Sequence, residues 1–249
     1  MKYGFCALPV VPMRAEASDR AEMVSQLLFG DTFVVKQKGD KWSLIVMDYD
    51  GYEGWIDTKQ IYFIQEQDYN QVKAWDIRPA SLVTSAVVDG MELLLPMGCS
   101  LPSAAVSGVP GLEIEHGVAH NRVGLSLLDI ASKWLGVPYL WGGKTCMGVD
   151  CSGFTQTVFR TCGIPLLRDA SQQATQGVAI ADLADAQPGD LCFFHNDSGR
   201  IIHVGIYMGN GRIIHASGCV RIDTLDTKGI YNASLQLYTH TLSSIRRMR

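Results

Sequence analysis

An α+β domain preceded by one or two small β-barrels is the fold that the chain predicts, and three observations carry that expectation. From Lys2 to Ile64, short stretches of alternating apolar and polar residues are separated by turns rich in Gly and Asp, which is the strand and hairpin signal. Between Leu125 and Ala174 the apolar spacing becomes helical, and from Asp190 to Thr241 it returns to strands. Helices followed by a run of antiparallel strands make an α+β domain.

In the first region, Phe33 to Gln37 follows the turn Gly30-Asp31, Trp42 to Met47 follows Lys38 to Lys41, and Gly54 to Asp57 follows Asp50 to Glu53. About five short strands in about sixty residues suit a small barrel. The order Leu-Leu-Phe-Gly-Asp, strand, Asp-Lys-Trp, strand, Gly-Tyr-Glu-Gly-Trp-Ile resembles the bacterial SH3-like domains attached to cell-wall enzymes. Residues 1–66 are assigned to this barrel. Residues 67–120 read as β-rich again, with Ser81 to Val88, the turn Asp89-Gly90 and Met91 to Pro96. They are expected to form a second, divergent SH3-like barrel or, alternatively, a long connection. Residues 121–249 form the α+β domain.

Within that domain, Leu127, Leu128, Ile130, Ala131, Trp134 and Leu135 recur at helical spacing before Gly136 and Pro138. A second helix is predicted from Cys151 to Gly163. A third begins at Arg168 to Ala174, where Asp169 and Ser171 can accept from free amides. Strands are predicted at Asp190 to Phe194, Ile201 to Met208, Gly211 to Ala216 and Leu235 to Thr241.

A chain of 249 residues, 47% of them hydrophobic and 18% charged, is globular rather than disordered. The net charge of −4 is spread without basic runs, which argues against nucleic-acid and anionic-membrane partners. No apolar run approaches the roughly 18 residues of a spanning helix. Pro9 and Pro12 interrupt the apolar stretch at the N-terminus, so it reads as a first strand rather than a signal peptide. A cytoplasmic location is expected, with a periplasmic or wall-associated one as the alternative if a signal segment has been removed. Seven cysteines at irregular spacing do not resemble a disulfide framework.

The chemistry concentrates around Asp150-Cys151-Ser152-Gly153. A cysteine on the first turn of a helix feels the partial positive charge of unpaired amides, which makes it a candidate nucleophile; together with a protonated His203, this predicts a thiol pKa below the ~8.5 of a free cysteine. Asp150 reads as the helix N-cap. His203, in Ile-Ile-His-Val-Gly-Ile-Tyr, is the candidate general base, and His215, in Arg-Ile-Ile-His-Ala-Ser, the group that orients it. The backbone N–H of Cys151 is a candidate donor to the oxyanion. Cys6, Cys99, Cys146, Cys162, Cys192 and Cys219 read as structural; His195 and His240, without evident partners, and His116 and His120 read as surface or loop residues.

Tyr139-Leu140-Trp141-Gly142-Gly143, Asp150 to Phe154, Pro188 to Leu191, His203 to Tyr207 and Ile214-His215-Ala216 stand in the order of the NlpC-like bacterial cell-wall peptidases. That resemblance covers roughly the second half of the chain. It implies a papain-like cysteine peptidase that cuts the γ-D-glutamyl to L-diamino-acid bond of murein peptides without a cofactor or metal. It also implies that Tyr139 is a second oxyanion donor. With the upstream barrels, the chain is similar to the subgroup that recycles murein peptides, in which an acidic residue, here Asp169, binds the free amine of an N-terminal L-Ala; Ser152, Tyr52 and Glu22 match the rest of that pattern.

An endopeptidase acting on intact wall is the alternative within the resemblance, and three other readings compete. Cys151, His203 and His215 are a set that zinc accepts, and His116 and His120 have His-x-x-x-His spacing, although no water-activating Glu accompanies them and Gly117 weakens a helix there. A non-catalytic wall-binding protein is the second, and the complete triad argues against it. Action on another amide within the same fold is a third reading.

Overall fold

The computed structural model describes residues 2–102, 109, 113–115 and 124–249. His116 and His120 lie outside the described residues. The chain divides into two units, Met1–Gly124 with Trp141–Cys146, and Leu125–Leu140 with Met147–Arg249.

In the first unit, β1 (Tyr3–Phe5), β2 (Val10–Arg14), β3 (Met23–Leu28), β4 (Thr32–Gln37), β5 (Trp42–Met47), β6 (Glu53–Asp57) and β7 (Tyr62–Ile64) form an antiparallel sheet in the order β3-β2-β6-β5-β4-β1-β7. Alternation explains its interior. In β5 the residues Ser43, Ile45 and Met47 are buried while Trp42, Leu44 and Val46 are only partly so. Val11, Met13, Leu27, Phe33, Ile45, Met47 and Ile56 close an apolar core around them. Gly54 in β6 lies close under its neighbours: a Cβ there would stand 2.9 Å from Met13 Cε and 3.2 Å from Arg14 O.

Residues 67–120 were expected to be β-rich. Among the described residues they contribute most of the helix α1 (Glu66–Lys73) and a sheet of β8 (Val83–Val88), β9 (Met91–Pro96) and β10 (Ile114–Glu115), in the order β10-β8-β9. Tyr69, Val72 and Trp75 pack in one cluster with Phe5, Phe29, Ala86, Val88 and Leu95. This segment therefore shares its core with the first barrel. The helix escaped the strand reading because only Tyr69 and Val72 are buried on it; two apolar positions make a weak periodic signal.

The second unit holds α2 (Leu127–Ser132), then the short strand β12 (Gly148–Val149) after β11 (Lys144–Thr145) of the first, α3 (Cys151–Thr161) and α4 (Ala170–Gln173). Ser126 caps α2 in a reciprocal box with Asp129, and Trp134 packs edge-on against Phe154 of α3 at 6.0 Å. Every residue of α3 is buried, as expected of a helix enclosed on all sides. β13 (Val178–Ile180), β14 (Leu191–His195), β15 (Ile201–Gly209), β16 (Arg212–Ser217), β17 (Cys219–Leu225), β18 (Gly229–Asn232) and β19 (Leu237–Arg247) form an antiparallel sheet ordered β13-β19-β14-β15-β16-β17-β18. A further pairing of β18 with β19 closes it on itself. Fold class thus follows the sequence reading: in chain order, an SH3-like sheet, then helices, then an antiparallel sheet.

Candidate active site

The site is built around the start of α3. Asp150 is its N-cap, and its Oδ1 accepts from Gly153 N–H at 2.6 Å. Both oxygens of Asp150 also receive Arg168, Nη2 to Oδ2 at 2.6 Å and Nη1 to Oδ1 at 3.1 Å. Arg168 is 1% exposed. A buried guanidinium needs such a fork, because an unpaired one would carry a large desolvation cost. The same Nη1 donates to Ser152 Oγ at 2.9 Å, so the hydroxyl of Ser152 is engaged by protein groups. Arg168 was missed in the sequence, where it was read only as part of a helix start.

Cys151 is buried on the first turn of α3. The backbone N–H of Val204, next to His203 on β15, is one of the groups that act on its sulfur. The expected depressed thiol pKa is not what this environment produces. Burial and then the Asp150 carboxylate push the thiol up to about 12, against the lowering effect of the Val204 and Ser152 amides and of Arg168. Desolvation outweighs the helix terminus here. The resting pair is a neutral thiol and a neutral imidazole, since burial, and after it His215 and His240, hold His203 well below the ordinary histidine value.

His203 and His215 come together as the sequence reading required. His203 Nε2 lies 2.8 Å from His215 Nδ1, which leaves His203 Nδ1 as the nitrogen available to the thiol. Gly205 makes the approach possible. It pairs directly with His215 across β15 and β16, and a Cβ on it would lie 2.9 Å from His215 Cβ.

Three residues near these rings escaped the sequence reading. Asp223 accepts from His215 Nε2 at 3.1 Å, and Arg221 Nη2 donates to Asp223 Oδ1 at 2.9 Å. Both sit on β17, a strand not predicted, although Arg-x-Asp at a two-residue spacing places the two on one strand face. His240, read as a surface or loop residue, is half-buried on β19 and stacks on His203 at 4.1 Å between centroids. Burial lowers its pKa to about 4, so it is neutral at pH 7.

Tyr139 is positioned by the pairing of its segment with the residues before α3. Leu140 N–H donates to Val149 O at 3.1 Å and Val149 N–H to Pro138 O at 3.0 Å. Burial, then the proximity of Cys151 and Asp150, raises its phenol pKa, so the hydroxyl keeps its proton and remains a donor. Asp169 forms a capping box with Gln172 at the start of α4, its backbone N–H donating to Gln172 Oε1 at 2.9 Å. In the first unit, Glu22 is exposed and accepts from Trp141 Nε1 at 2.5 Å, while Tyr52 packs partly buried against the barrel core.

Among the described residues, no three His, Cys, Asp or Glu side chains converge to hold a metal. The two histidines offered as zinc ligands direct facing nitrogens at each other. What the arrangement can do is move one proton from a thiol to an imidazole at the start of a helix whose N-terminal amides face an incoming carbonyl oxygen.

Comparison with known proteins agrees with this chemistry. The NlpC/P60 family model matches residues 136–239, and a bacterial dipeptidyl-peptidase SH3 domain model matches residues 13–61. A gamma-D-glutamyl-L-lysine dipeptidyl-peptidase from Bacillus subtilis is 30% identical over 241 residues, covering 85% of this chain and 78% of that protein. The chain belongs to the NlpC/P60 cysteine peptidase family. A protein of the same name from Bacillus cereus is 42% identical over 108 residues, 41% of this chain and 32% of that protein; this chain thus matches about a third of that relative's length. The fold of an NlpC/P60 family protein from Bacillus cereus superposes with a TM-score of 0.78 at 21% identity, covering 98% of this chain and 99% of that one.

Proposed function

We propose that the protein hydrolyses the γ-D-glutamyl to L-diamino-acid bond of murein-derived peptides, accepts only peptides whose N-terminal L-Ala amine is free, and serves peptide recycling. The relatives named gamma-D-glutamyl-L-lysine dipeptidyl-peptidase support the bond. His203 takes the thiol proton of Cys151 as the sulfur attacks the γ-carbonyl; the tetrahedral oxyanion is met by the Cys151 N–H and Tyr139 hydroxyl; and the C–N bond breaks as His203 returns the proton to the leaving amine. Water, activated by the same His203, then cleaves the thioester.

The observation that carries the free-amine reading is the anchoring of Asp169. Its neighbour Arg168 is clamped onto Asp150 and Ser152, on either side of Cys151. Gln173, on the helix that Asp169 caps, donates to Ser152 O at 3.0 Å and accepts from Thr155 Oγ1 at 2.7 Å. A carboxylate is thereby held at a fixed position relative to the nucleophile, where it pairs with an ammonium one dipeptide away from the cut bond. Blocking the amine removes the ammonium from the carboxylate and leaves it desolvated with its capping contact alone, a cost of a few kcal/mol.

The test compares L-Ala-γ-D-Glu-L-Lys with its N-acetylated form, in the wild type and in Asp169→Ala. We expect the wild type to prefer the free peptide by roughly a hundredfold or more and the variant to lose most of that preference. Equal wild-type rates on the two peptides would overturn the free-amine reading and favour action on intact wall. A cytoplasmic workplace accompanies the recycling reading, and cell fractionation with antibody detection tests it.

A further inference from the structure

We propose that Asp223, held by Arg221, is a positioning residue that sets the tautomers of both histidines and so leaves His203 Nδ1 bare for the thiol proton. The statement rests on the proposed peptidase chemistry and follows from counting protons along one line of contacts.

Asp223 is 8% exposed and ionised. Burial opposes its charge, but hydrogen bonds from His215 and Arg221 overcome that and lower its pKa. A carboxylate accepts only. The proton between Asp223 Oδ2 and His215 Nε2, 3.1 Å apart, therefore belongs to His215 Nε2. In a neutral His215 this makes Nδ1 an acceptor. His203 Nε2, 2.8 Å from it, must then carry a proton and donate. A neutral His203 protonated at Nε2 has its lone pair at Nδ1, the nitrogen available to Cys151. The thiol proton moves to that lone pair and is later given to the leaving amine; the protons on His203 Nε2 and His215 Nε2 stay where they are. While His203 is cationic, its Nε2–H points at an acceptor polarised by a carboxylate, and the imidazolium is stabilised.

Arg221 supplies the counterpart. Its Nη2 donates to Oδ1 at 2.9 Å and its Nε lies 2.8 Å from Oδ2, which keeps Asp223 charged in a buried place and fixes the direction of its lone pairs. The other titratable group facing the two rings is His240 from β19, and the proposed chemistry brings the Cys151 thiol to His203. His240 is neutral at pH 7, and Cys151 is neutral at rest. Asp223 is thus the only anion that the imidazoles contact among the described residues, and the one group able to choose between tautomers.

The full-length protein labelled with 15N-histidine reports this directly, because long-range proton–nitrogen spectra distinguish Nδ1–H from Nε2–H rings. We expect wild-type His203 and His215 both to carry their proton on Nε2 at pH 7. In Asp223→Asn, whose side-chain amide can also donate, we expect a population of His215 protonated at Nδ1. kcat for L-Ala-γ-D-Glu-L-Lys should fall about tenfold or more, below the ~10⁴ cost of a wrong tautomer imposed directly on a catalytic base; KM should stay within about twofold, because Asp223 touches no substrate. Alkylation of Cys151 by iodoacetamide at pH 7 should slow in parallel. The spectra and the alkylation need no substrate, so they test the inference even if the peptide is the wrong one. A wild-type His215 protonated at Nδ1 would overturn it, as would unchanged tautomers and unchanged alkylation in a folded Asp223→Asn protein.

Discussion

The two large sheets of this protein are built by the same rule and filled differently. In the barrel at the N-terminus, alternation delivers Val11, Met13, Leu27, Phe33, Ile45 and Ile56 to a core. In the closed sheet of the second unit, alternation delivers Cys192, Phe194, Tyr207, Ile213, Leu225 and Ile230 to a core of the same kind. Into it, however, intrude His203 beside Phe194, His240 stacked on His203, and His215 with Asp223. Each of these polar groups has a partner. The difference teaches that a buried site is tolerated when its members satisfy one another in a line, and that such a line carries direction, here for a proton. An apolar interior has no such direction.

Substitutions can break that contrast, beginning with Cys151, the proposed nucleophile. Cys151→Ala should abolish hydrolysis of L-Ala-γ-D-Glu-L-Lys while circular dichroism and Tm stay near wild type, since alanine fits the first turn of a helix. His203→Ala should lower kcat by roughly a hundred- to ten-thousandfold, the usual worth of a general base. Wild-type turnover in either variant would remove the chemical meaning of the polar line.

Next in size is the ion pair that ties Asp169's neighbour to the helix start. Arg168→Ala leaves the Asp150 carboxylate buried with its main partner gone, and urea unfolding should show a loss of about 3–5 kcal/mol. In the first barrel the matching experiment is Ile45→Ala. It should cost about 2–5 kcal/mol by cavity formation and leave kcat on the same peptide unchanged below the transition. A matching loss of kcat there would mean that the two interiors do not differ as described.

The smallest effect sharpens the comparison through pH. His203 and His240 have folded pKa values below their unfolded ones, burial being the first cause for both. Neutral rings are therefore favoured by folding, and their contribution to stability is present above the unfolded value near ~6.5 and declines as pH falls toward about 4 for His240. Urea midpoints measured between pH 7 and 4.5 should drop accordingly. His240→Ala opens the face of His203 to water and removes a neighbouring positive charge at low pH. The pKa of His203 should rise, the acid limb of kcat/KM should move to higher pH, and kcat at pH 7 should fall only several-fold.

Much of this was legible in the residues themselves. The turns at Gly30-Asp31 and Asp50 to Glu53 bound strands that form at Thr32–Gln37 and Glu53–Asp57. The Asp-Cys-Ser-Gly run starts a helix capped by Asp150, because capping and periodicity are local and act within one turn of chain. Cys151, His203 and His215 stood out through motif order, which is legible even where distance along the chain is large, and the fold brings His203 and His215 together.

What only the tertiary structure decided is everything that depends on burial and on partners from other strands. The sequence predicted an acidic thiol from the helix start and a protonated His203, whereas enclosure of α3 on all sides raises it instead. His240 has nothing near it in sequence that marks it, and becomes part of the site because β19 pairs with both β14 and β18. Asp223 and Arg221 carry no mark in the sequence; β17 pairs with β16 and brings the carboxylate to His215. Local pattern determines which face of an element a residue occupies; the dielectric around it and the charge beside it are set by chain folded from elsewhere, and proton chemistry responds to those.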